Sequence, residues 1–377
     1  METPRAMSLT IHGLGTALPP QRIAQADASA IATDVALAHQ APSPSQRRLL
    51  DTLHRRSGVA TRHSVLLEPQ APGTAENTTS HQNFFGPTSP GTGERMRRYG
   101  EEAPPLALRA VRAALEQAQM SVERITHLIT VSCTGFSAPG VDLALMAALP
   151  LSAGVARTHV GFMGCHGALN GLRVAAGFTG ADPDACVLLC AVELCTLHLQ
   201  YGWDAERIVA NSLFADGAAA LVACGEGSAA EAPAGPPLRR LVASGSLLVP
   251  ASAGAMSWRI GDHGFAMTLS PQVPDLIAAH LRPWLEGWLA GHQLTLAAIG
   301  SWAVHPGGPR ILSAVTEALG LDPALIEPSR SVLRDYGNMS SPTLLFILER
   351  LRSSGAPGPC LAMAFGPGLC VEVALLA

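Results

Sequence analysis

Charge is scarce in this chain. Of its 377 residues only 14% are Asp, Glu, Lys or Arg, and the formal balance is −4, with an isoelectric point near 6.3. There is no basic excess to grip a nucleic-acid backbone, which excludes bulk nucleic-acid binding. A secretory leader is also missing, because Met1-Glu2-Thr3-Pro4-Arg5 opens without an apolar h-region. No uncharged apolar run reaches the length of a bilayer span. Paired CxxC spacing is absent as well. The eight cysteines stand at 133, 165, 186, 190, 195, 224, 360 and 370, several of them inside apolar strand-like runs. They read as reduced thiols of a soluble cytoplasmic protein, neither zinc ligands nor a disulfide frame. What the chain has instead is 48% hydrophobic residues, with 37 Gly and 29 Pro. That profile excludes extensive disorder and fits a compact α/β enzyme with much buried sheet.

The length suits one large domain or two fused halves. Residues 8–17 make a first strand, and residues 21–53 follow a helical pattern broken near Pro42 and Pro44. A basic knot of Arg47, Arg48, Arg55, Arg56 and Arg62 is suited to phosphates, although each alone reads as part of a solvated helix face. Residues 70–93 form a polar Gly/Pro-rich loop. Helix 103–119, strand 127–133, a helix after Pro139, strand 155–160 and strand 185–192 come next. Strand 218–224 precedes residues 225–237, the best internal boundary, which divides a half at 1–228 from one at 238–377. Beyond it lie strands 238–248 and 265–269, helix 274–290, strand 299–304, helix 308–319, helix 342–351 and strands 359–365 and 369–376. Alternation in both halves predicts a mostly parallel sheet covered by helices on both faces.

The central stretch is Gly161-Phe162-Met163-Gly164-Cys165-His166-Gly167. It places Cys165 on a Gly-flanked bend between a strand and an apolar helix of about four turns. Unpaired N–H groups and the helix dipole favour negative charge there, so a thiolate is expected to be stabilised. The alternative is a buried structural cysteine. His305 ends the apolar strand Ser301-Trp302-Ala303-Val304 before Pro306-Gly307-Gly308-Pro309, where open α/β folds place active sites; a hydrogen-bonded structural histidine is the other reading. Asn338 sits in a turn leading into a helix, where Asn most often serves the turn itself. Together the three supply a nucleophile, a base and an amide donor. That set suits thioester chemistry, with Cys165 taking an acyl group while His305 and Asn338 stabilise an oxyanion or enolate.

Five motifs then carry a resemblance. Gly164-Cys165, Leu213-Phe214-Ala215-Asp216-Gly217-Ala218-Ala219-Ala220, Val304-His305-Pro306-Gly307-Gly308-Pro309, Tyr336-Gly337-Asn338-Met339-Ser340-Ser341 and Ala364-Phe365-Gly366-Pro367-Gly368 resemble, in order, those of the type III polyketide synthases, the chalcone and stilbene synthase superfamily. The match covers the chain from about residue 100 to the end and is looser before it. The resemblance implies a thiolase-like αβαβα fold of two similar halves. It also implies a homodimer working on malonyl-CoA and acyl-CoA without cofactor, metal or carrier protein. Cys165 corresponds to the acylated nucleophile, and His305 with Asn338 to the groups that stabilise the enolate left by malonyl decarboxylation. Phe214 corresponds to a gatekeeper between a CoA tunnel and the cavity, and Gly366-Pro367-Gly368 to a cavity wall.

Departures bear on substrate. The second gatekeeper Phe of plant members is Met267, a cavity Gly is Trp258, a cavity Met is Ala138, and a cavity Thr is Cys133, next to Thr134. Residues 256–265 resemble bacterial members that make alkylresorcinols and alkylpyrones, which points to an aliphatic starter. Arg56 matches a basic CoA contact, and Arg310 is positioned to assist. His198 is placed to line the cavity, and His166 reads as structural. Three rivals stand beside this reading. One is a ketoacyl-carrier-protein synthase of the initiating kind; another is a cysteine hydrolase, given the Cys-to-His gap of 140 residues (305 − 165). The third is an inactive partner subunit.

Overall fold

The computed structural model describes residues 9–37, 43–68, 84–86, 88–225 and 235–377. The first half runs β1 (Leu9–Ala17), β2 (Arg22–Ala24), α1 (Gln25–Leu37), α2 (Pro44–Arg56), β3 (Thr61–His63) and α3 (Thr92–Ala118). It continues with β4 (His127–Ser132), α4 (Val141–Ala148), β5 (Ala156–Gly161), α5 (Gly167–Ala181), β6 (Cys186–Leu194), α6 (Ala205–Leu213) and β7 (Asp216–Gly225). The second half holds β8 (Arg239–Leu248), β9 (Met256–Gly261), β10 (Gly264–Leu269), α7 (Val273–Gly291), β11 (Ser301–Val304) and α8 (Pro309–Leu319). It closes with α9 (Glu327–Tyr336), α10 (Thr343–Ser353), β12 (Cys360–Gly366) and β13 (Cys370–Leu376).

Strand residues alternate between two cores, and that alternation builds the layers. In β6, Val187, Leu189 and Ala191 face a central core shared with α5 and α10, whereas Leu188, Cys190 and Val192 face α3. In β12, Cys360, Ala362 and Ala364 face the same centre, whereas Leu361, Met363 and Phe365 face α7 and α8. The result is helix, sheet, helix, sheet, helix: a thiolase-like αβαβα sandwich. Pairings run outward from the middle in one pattern. β1–β7 and β7–β6 are antiparallel and β6–β4 parallel; β8–β13 and β13–β12 are antiparallel and β12–β11 parallel. A short β1–β8 junction joins the two sets into one nine-stranded sheet. β9 and β10 form a separate hairpin.

Three expectations are corrected. The sheet is mixed, with antiparallel pairs outnumbering parallel ones, because β12–β13 closes through a tight Gly-Pro-Gly turn that no crossover helix interrupts. The third helix begins at Thr92, eleven residues (103 − 92) before the predicted start, and runs through Pro104 and Pro105. Its early turns are secured by burial of Arg95 and Tyr99, which overrides the local Pro signal. The same helix presents Ala110 and Ala114 to Gly13 and Gly15 of β1, where added Cβ atoms would lie 2.1 and 2.3 Å from helix carbonyls. Finally, Cys186 and Cys224 form a disulfide: they face each other in the β6–β7 register with Cα atoms 4.3 Å apart. The other six cysteines are free. The predicted loop at 70–93 and the boundary at 225–237 fall largely outside the described residues.

Candidate active site

The site forms where the two central helices begin. β5 ends at Gly161, Phe162 and Gly164 take φ of +60° and +74°, and a single 3-10 turn over Gly164–His166 leads into α5. A side chain at Gly164 would meet Pro367 at 2.5 Å in a left-handed conformation, so only glycine fits. α10 is entered through a matching turn. There Gly337 (φ +76°) and Ser340 (φ +55°) are left-handed, and Met339 N–H donates to the Thr343 hydroxyl at 2.9 Å. A Cβ on Gly167 of α5 would stand 3.5 Å from that of Ser341, so the two helix starts touch. Left-handed backbone at Phe162 and Ser340 costs of order 1–3 kcal/mol each and persists only where packing imposes it.

This meeting brings Asn338 and Ser340 to Cys165, where both side chains act to lower the pKa of the thiol. Asn338 is itself held in place: its N–H donates to Leu213 at 2.8 Å, its carbonyl accepts from Ala215 at 2.9 Å, and its Oδ1 accepts from Ser340 N–H at 2.8 Å. The amide N–H group is what remains to face the sulfur. Cys165 is half-buried and lines a small chamber, and burial raises its pKa from 9.0 to about 11, against the lowering influence of Ser340 and Asn338. The expected thiolate stabilisation is therefore outweighed in the resting enzyme. A helix dipole contributes roughly 0.3–2 kcal/mol, whereas that rise corresponds to about 2.7 kcal/mol.

His305 ends β11 with its N–H on the Met363 carbonyl at 2.8 Å. Its ring is 1% exposed, and neither ring nitrogen has a hydrogen-bond partner among the described residues. Burial, with nearby His166 adding to it, pulls its pKa down to about 3. At neutral pH Cys165 therefore rests as a thiol and His305 as a neutral imidazole. His166 is buried, with Nδ1 2.6 Å from Asn170 Oδ1. Asn170 in turn donates to Glu372, which pairs with Arg173.

Cys133, Thr134, Phe214, Trp258, Met267 and Pro367 line the chamber with Cys165. Gly366 and Gly368 flank Pro367 without lining it. Ala138 is a correction: it is exposed on the loop after β4, beside a surface hollow of about 430 Å³ next to the β5 edge, because the chain turns outward at Phe136. His198 borders a second, apolar cavity of about 90 Å³ that shares Phe214, Trp258 and Met267 with the chamber. Of the basic knot, Arg62 is buried and spends its guanidinium on the carbonyls of Asn211 and Phe214, so it holds no phosphate. Arg47, Arg48 and Arg55 are exposed on α2. Arg56 and Arg310 are exposed near one another, since Gly58 packs on Pro309 (a Cβ there would lie 2.9 Å from its ring).

Two functional groups escaped the sequence reading. Glu193, fully buried at the end of β6, accepts from Cys133 N–H, from the hydroxyls of Ser132, Thr134 and Ser341, and, among the described residues, from no cation. Burial raises its pKa while those bonds lower it. A lone acid in an apolar strand was the available signal. Ser340 stood in the Tyr336–Ser341 motif, but nothing in the sequence announced its left-handed backbone. Among the described residues no cluster of His, Cys, Asp and Glu is arranged for a metal ion, and no helix is long and apolar enough to cross a membrane.

A cysteine on a strained turn, an amide on its twin and a buried imidazole, all inside a thiolase-like sandwich, define an acyl-transferring enzyme class. The chain belongs to the chalcone and stilbene synthase family, the type III polyketide synthases: residues 3–227 match the model "Chalcone and stilbene synthases, N-terminal domain" and residues 240–377 its C-terminal counterpart. It is 35% identical over 370 residues to a 1,3,6,8-tetrahydroxynaphthalene synthase of Streptomyces peucetius, covering 97% of this chain and 92% of that one. It is 31% identical to the "Alpha-pyrone synthesis polyketide synthase-like Pks18" of Mycobacterium tuberculosis, covering 96% and 89%. Among solved structures, PKS-I of the brown alga Ectocarpus siliculosus superposes with a TM-score of 0.89 at 30% identity, over 100% and 99% of the two chains.

Proposed function

We propose that this type III polyketide synthase loads an aliphatic acyl group from CoA onto Cys165 and extends it repeatedly with malonyl-CoA, releasing a pyrone or resorcinol. The observation that carries the reading is the junction of the α5 and α10 turns, which sets Asn338 and Ser340 against the thiol beside an apolar cavity. Cys165 gives its proton to His305 as it attacks the starter thioester, the ion pair so formed is strengthened by exclusion of water, and the CoA thiolate that leaves takes up that proton. Malonyl-CoA then loses carbon dioxide. The bonding electrons become an enolate, which His305 and the Asn338 amide stabilise by hydrogen bonds. The enolate carbon attacks the Cys165 thioester, and Cys165 leaves as thiolate. The extended chain, now on CoA, reloads Cys165, and the departing CoA thiolate takes up a proton.

The aliphatic starter is supported by the cavity wall of Ile23, Ala28, Ile31, Leu66, Leu67 and Leu199, which offers a tail little to hydrogen-bond. Arg56 and Arg310, both exposed, would hold the CoA phosphates in this reading. The protein works in the cytoplasm as a homodimer. Among the described residues the β5 edge is unpaired, and exposed Phe136, Leu143 and Met163 lie on the elements around it, a surface that a second copy would cover. Light scattering tests that state, and a monomer at micromolar concentration would refute it. The function is tested by mass spectrometry of products from malonyl-CoA with starters from C2 to C16 and 4-coumaroyl-CoA. Products longer by more than one acetate unit, lost in Cys165→Ala, are expected. Free acids alone would point to a hydrolase, and a single condensation on malonyl-carrier protein to a ketoacyl synthase.

A further inference from the structure

His198 lies on the 3-10 turn that follows β6, 3% exposed, and both of its ring nitrogens are engaged. Phe265 N–H donates to Nδ1 at 3.0 Å, so the proton is on Nε2, which donates to the Thr134 carbonyl at 2.7 Å. The ring stacks on Phe265 with centroids 4.1 Å apart and meets Trp258 edge-on at 5.7 Å. Trp258 in turn donates Nε1–H to the Cys133 carbonyl at 2.8 Å. Two consecutive carbonyls of the Cys133–Thr134 turn are thus held by two rings on the other side of the site. The tie is reinforced by Gln200, whose amide donates to the carbonyls of His198, His263 and Phe265 at 3.0, 3.2 and 3.2 Å. At the hairpin tip, Thr92 N–H donates to Asp262 at 2.8 Å and Gly264 N–H to the Thr92 hydroxyl at 2.9 Å.

The hairpin so held carries Trp258 on β9 directly opposite Met267 on β10. With Phe214, whose ring is 6.1 Å from that of Trp258, these side chains separate the Cys165 chamber from the apolar cavity, and they line both spaces. The chamber on the Cys165 side is small, about 30 Å³. A long acyl tail reaches the cavity only if the wall gives way.

We propose that His198 is a positioning residue: by tying the β9–β10 hairpin to the Cys133–Thr134 turn it holds Trp258 shut, and so limits the length of acyl tail that the site accepts. The proposal rests on the starter reading above and concerns how that starter is measured. In this account His198 contacts no reacting atom; it acts through Trp258.

The test uses His198→Leu, which keeps bulk and loses both ring bonds, and Trp258→Phe, which loses only the indole donor. Calorimetry compares binding of the non-transferable thioethers S-octyl-CoA and S-ethyl-CoA. Each variant is expected to raise the octyl-to-ethyl affinity ratio about five- to tenfold. The double variant should gain little beyond either one, since the two bonds close one wall. His198→Gln, whose amide still reaches the Thr134 carbonyl, should return the ratio towards wild type. An unchanged ratio in whichever variants fold overturns the proposal. Intact-protein mass spectrometry with octanoyl-CoA reads the catalytic step separately: a shifted binding ratio with no adduct on Cys165 would sink the acyl-transfer reading and leave the wall standing.

Discussion

α5 and α10 begin alike and do different work. Each follows a turn with one left-handed glycine and one left-handed residue that is not glycine, Gly164 with Phe162 and Gly337 with Ser340, and each then plunges into the central layer. In the proposed reaction the α5 turn presents the thiol that forms a bond. The α10 turn presents an amide and a hydroxyl that form none. The difference teaches that neither half of the sandwich holds a complete site; the chemistry exists where the two starts touch at Gly167 and Ser341.

The sharpest way to break this comparison is to disable each turn and read the half-reactions separately. Cys165→Ala should abolish acyl adduct and product together. Asn338→Ala should still load acyl-CoA while condensation falls about 10²–10³-fold, the usual worth of one oxyanion donor. If Asn338→Ala also blocks loading, the division of labour is wrong. His305→Gln should lower both steps, by about 10²–10⁴-fold, as for a lost general base.

Shape comes next. Gly164→Ala must place a Cβ against Pro367 at positive φ, so it should destabilise by about 1–3 kcal/mol and lower the melting temperature. Ser340→Gly relieves the equivalent strain on the other turn and should leave melting within about 1 kcal/mol of wild type while slowing turnover. Equal destabilisation by both would show that the turns are not matched. Glu193→Gln turns an acceptor of several donors into a group that must also donate. A loss of about 1–3 kcal/mol is expected in denaturant unfolding, with the Cys133–Thr134 turn affected first.

The smallest effect is that of pH. Burial lowers the pKa of His305 and His198 to about 3 and of His54 to about 4, all below the usual 6.5. Their unfolded forms bind protons that the folded ones refuse, so stability is full above pH 6.5 and falls as pH drops towards 3. Asp216, raised to about 6 by burial, works the other way between 3.8 and 6 and softens the loss. Replacing His54 by Gln should recover about 1 kcal/mol of stability at pH 5.5 relative to pH 7.5, read from urea midpoints. No change in the pH slope would mean that His54 takes up its proton while folded.

Much of this was legible in the chain. Continuous apolar runs marked β4, β6, β7, β12 and β13, and the Gly-flanked Cys165, the strand-ending His305 and the turn at Asn338 announced themselves by residue type and place. Other parts were hidden because their causes are tertiary. The first turns of α3 depend on burying Arg95 and Tyr99. The antiparallel closures depend on which strands become neighbours. Ala138 faces outward because the loop leaves the sheet at Phe136, and Arg62 turns inward to serve two carbonyls. His198 and Trp258 could be flagged as unusual, but their hold on two adjacent carbonyls needed coordinates.

The junction of the two sheet halves has a consequence for synthesis. Of the described strands β1 leaves the ribosome before the others, yet it lies in the middle of the sheet, between β7 and β8, pairing Leu9 with both Gly225 and Leu241. Neither neighbour exists until more than half the chain has been translated. Until then β1 is an apolar strand with two open edges, and its pairings, among the most distant in sequence, must form late and slowly. A nascent chain of this architecture therefore depends on being shielded while it waits, and truncation before β8 should yield aggregates in place of an isolated first half.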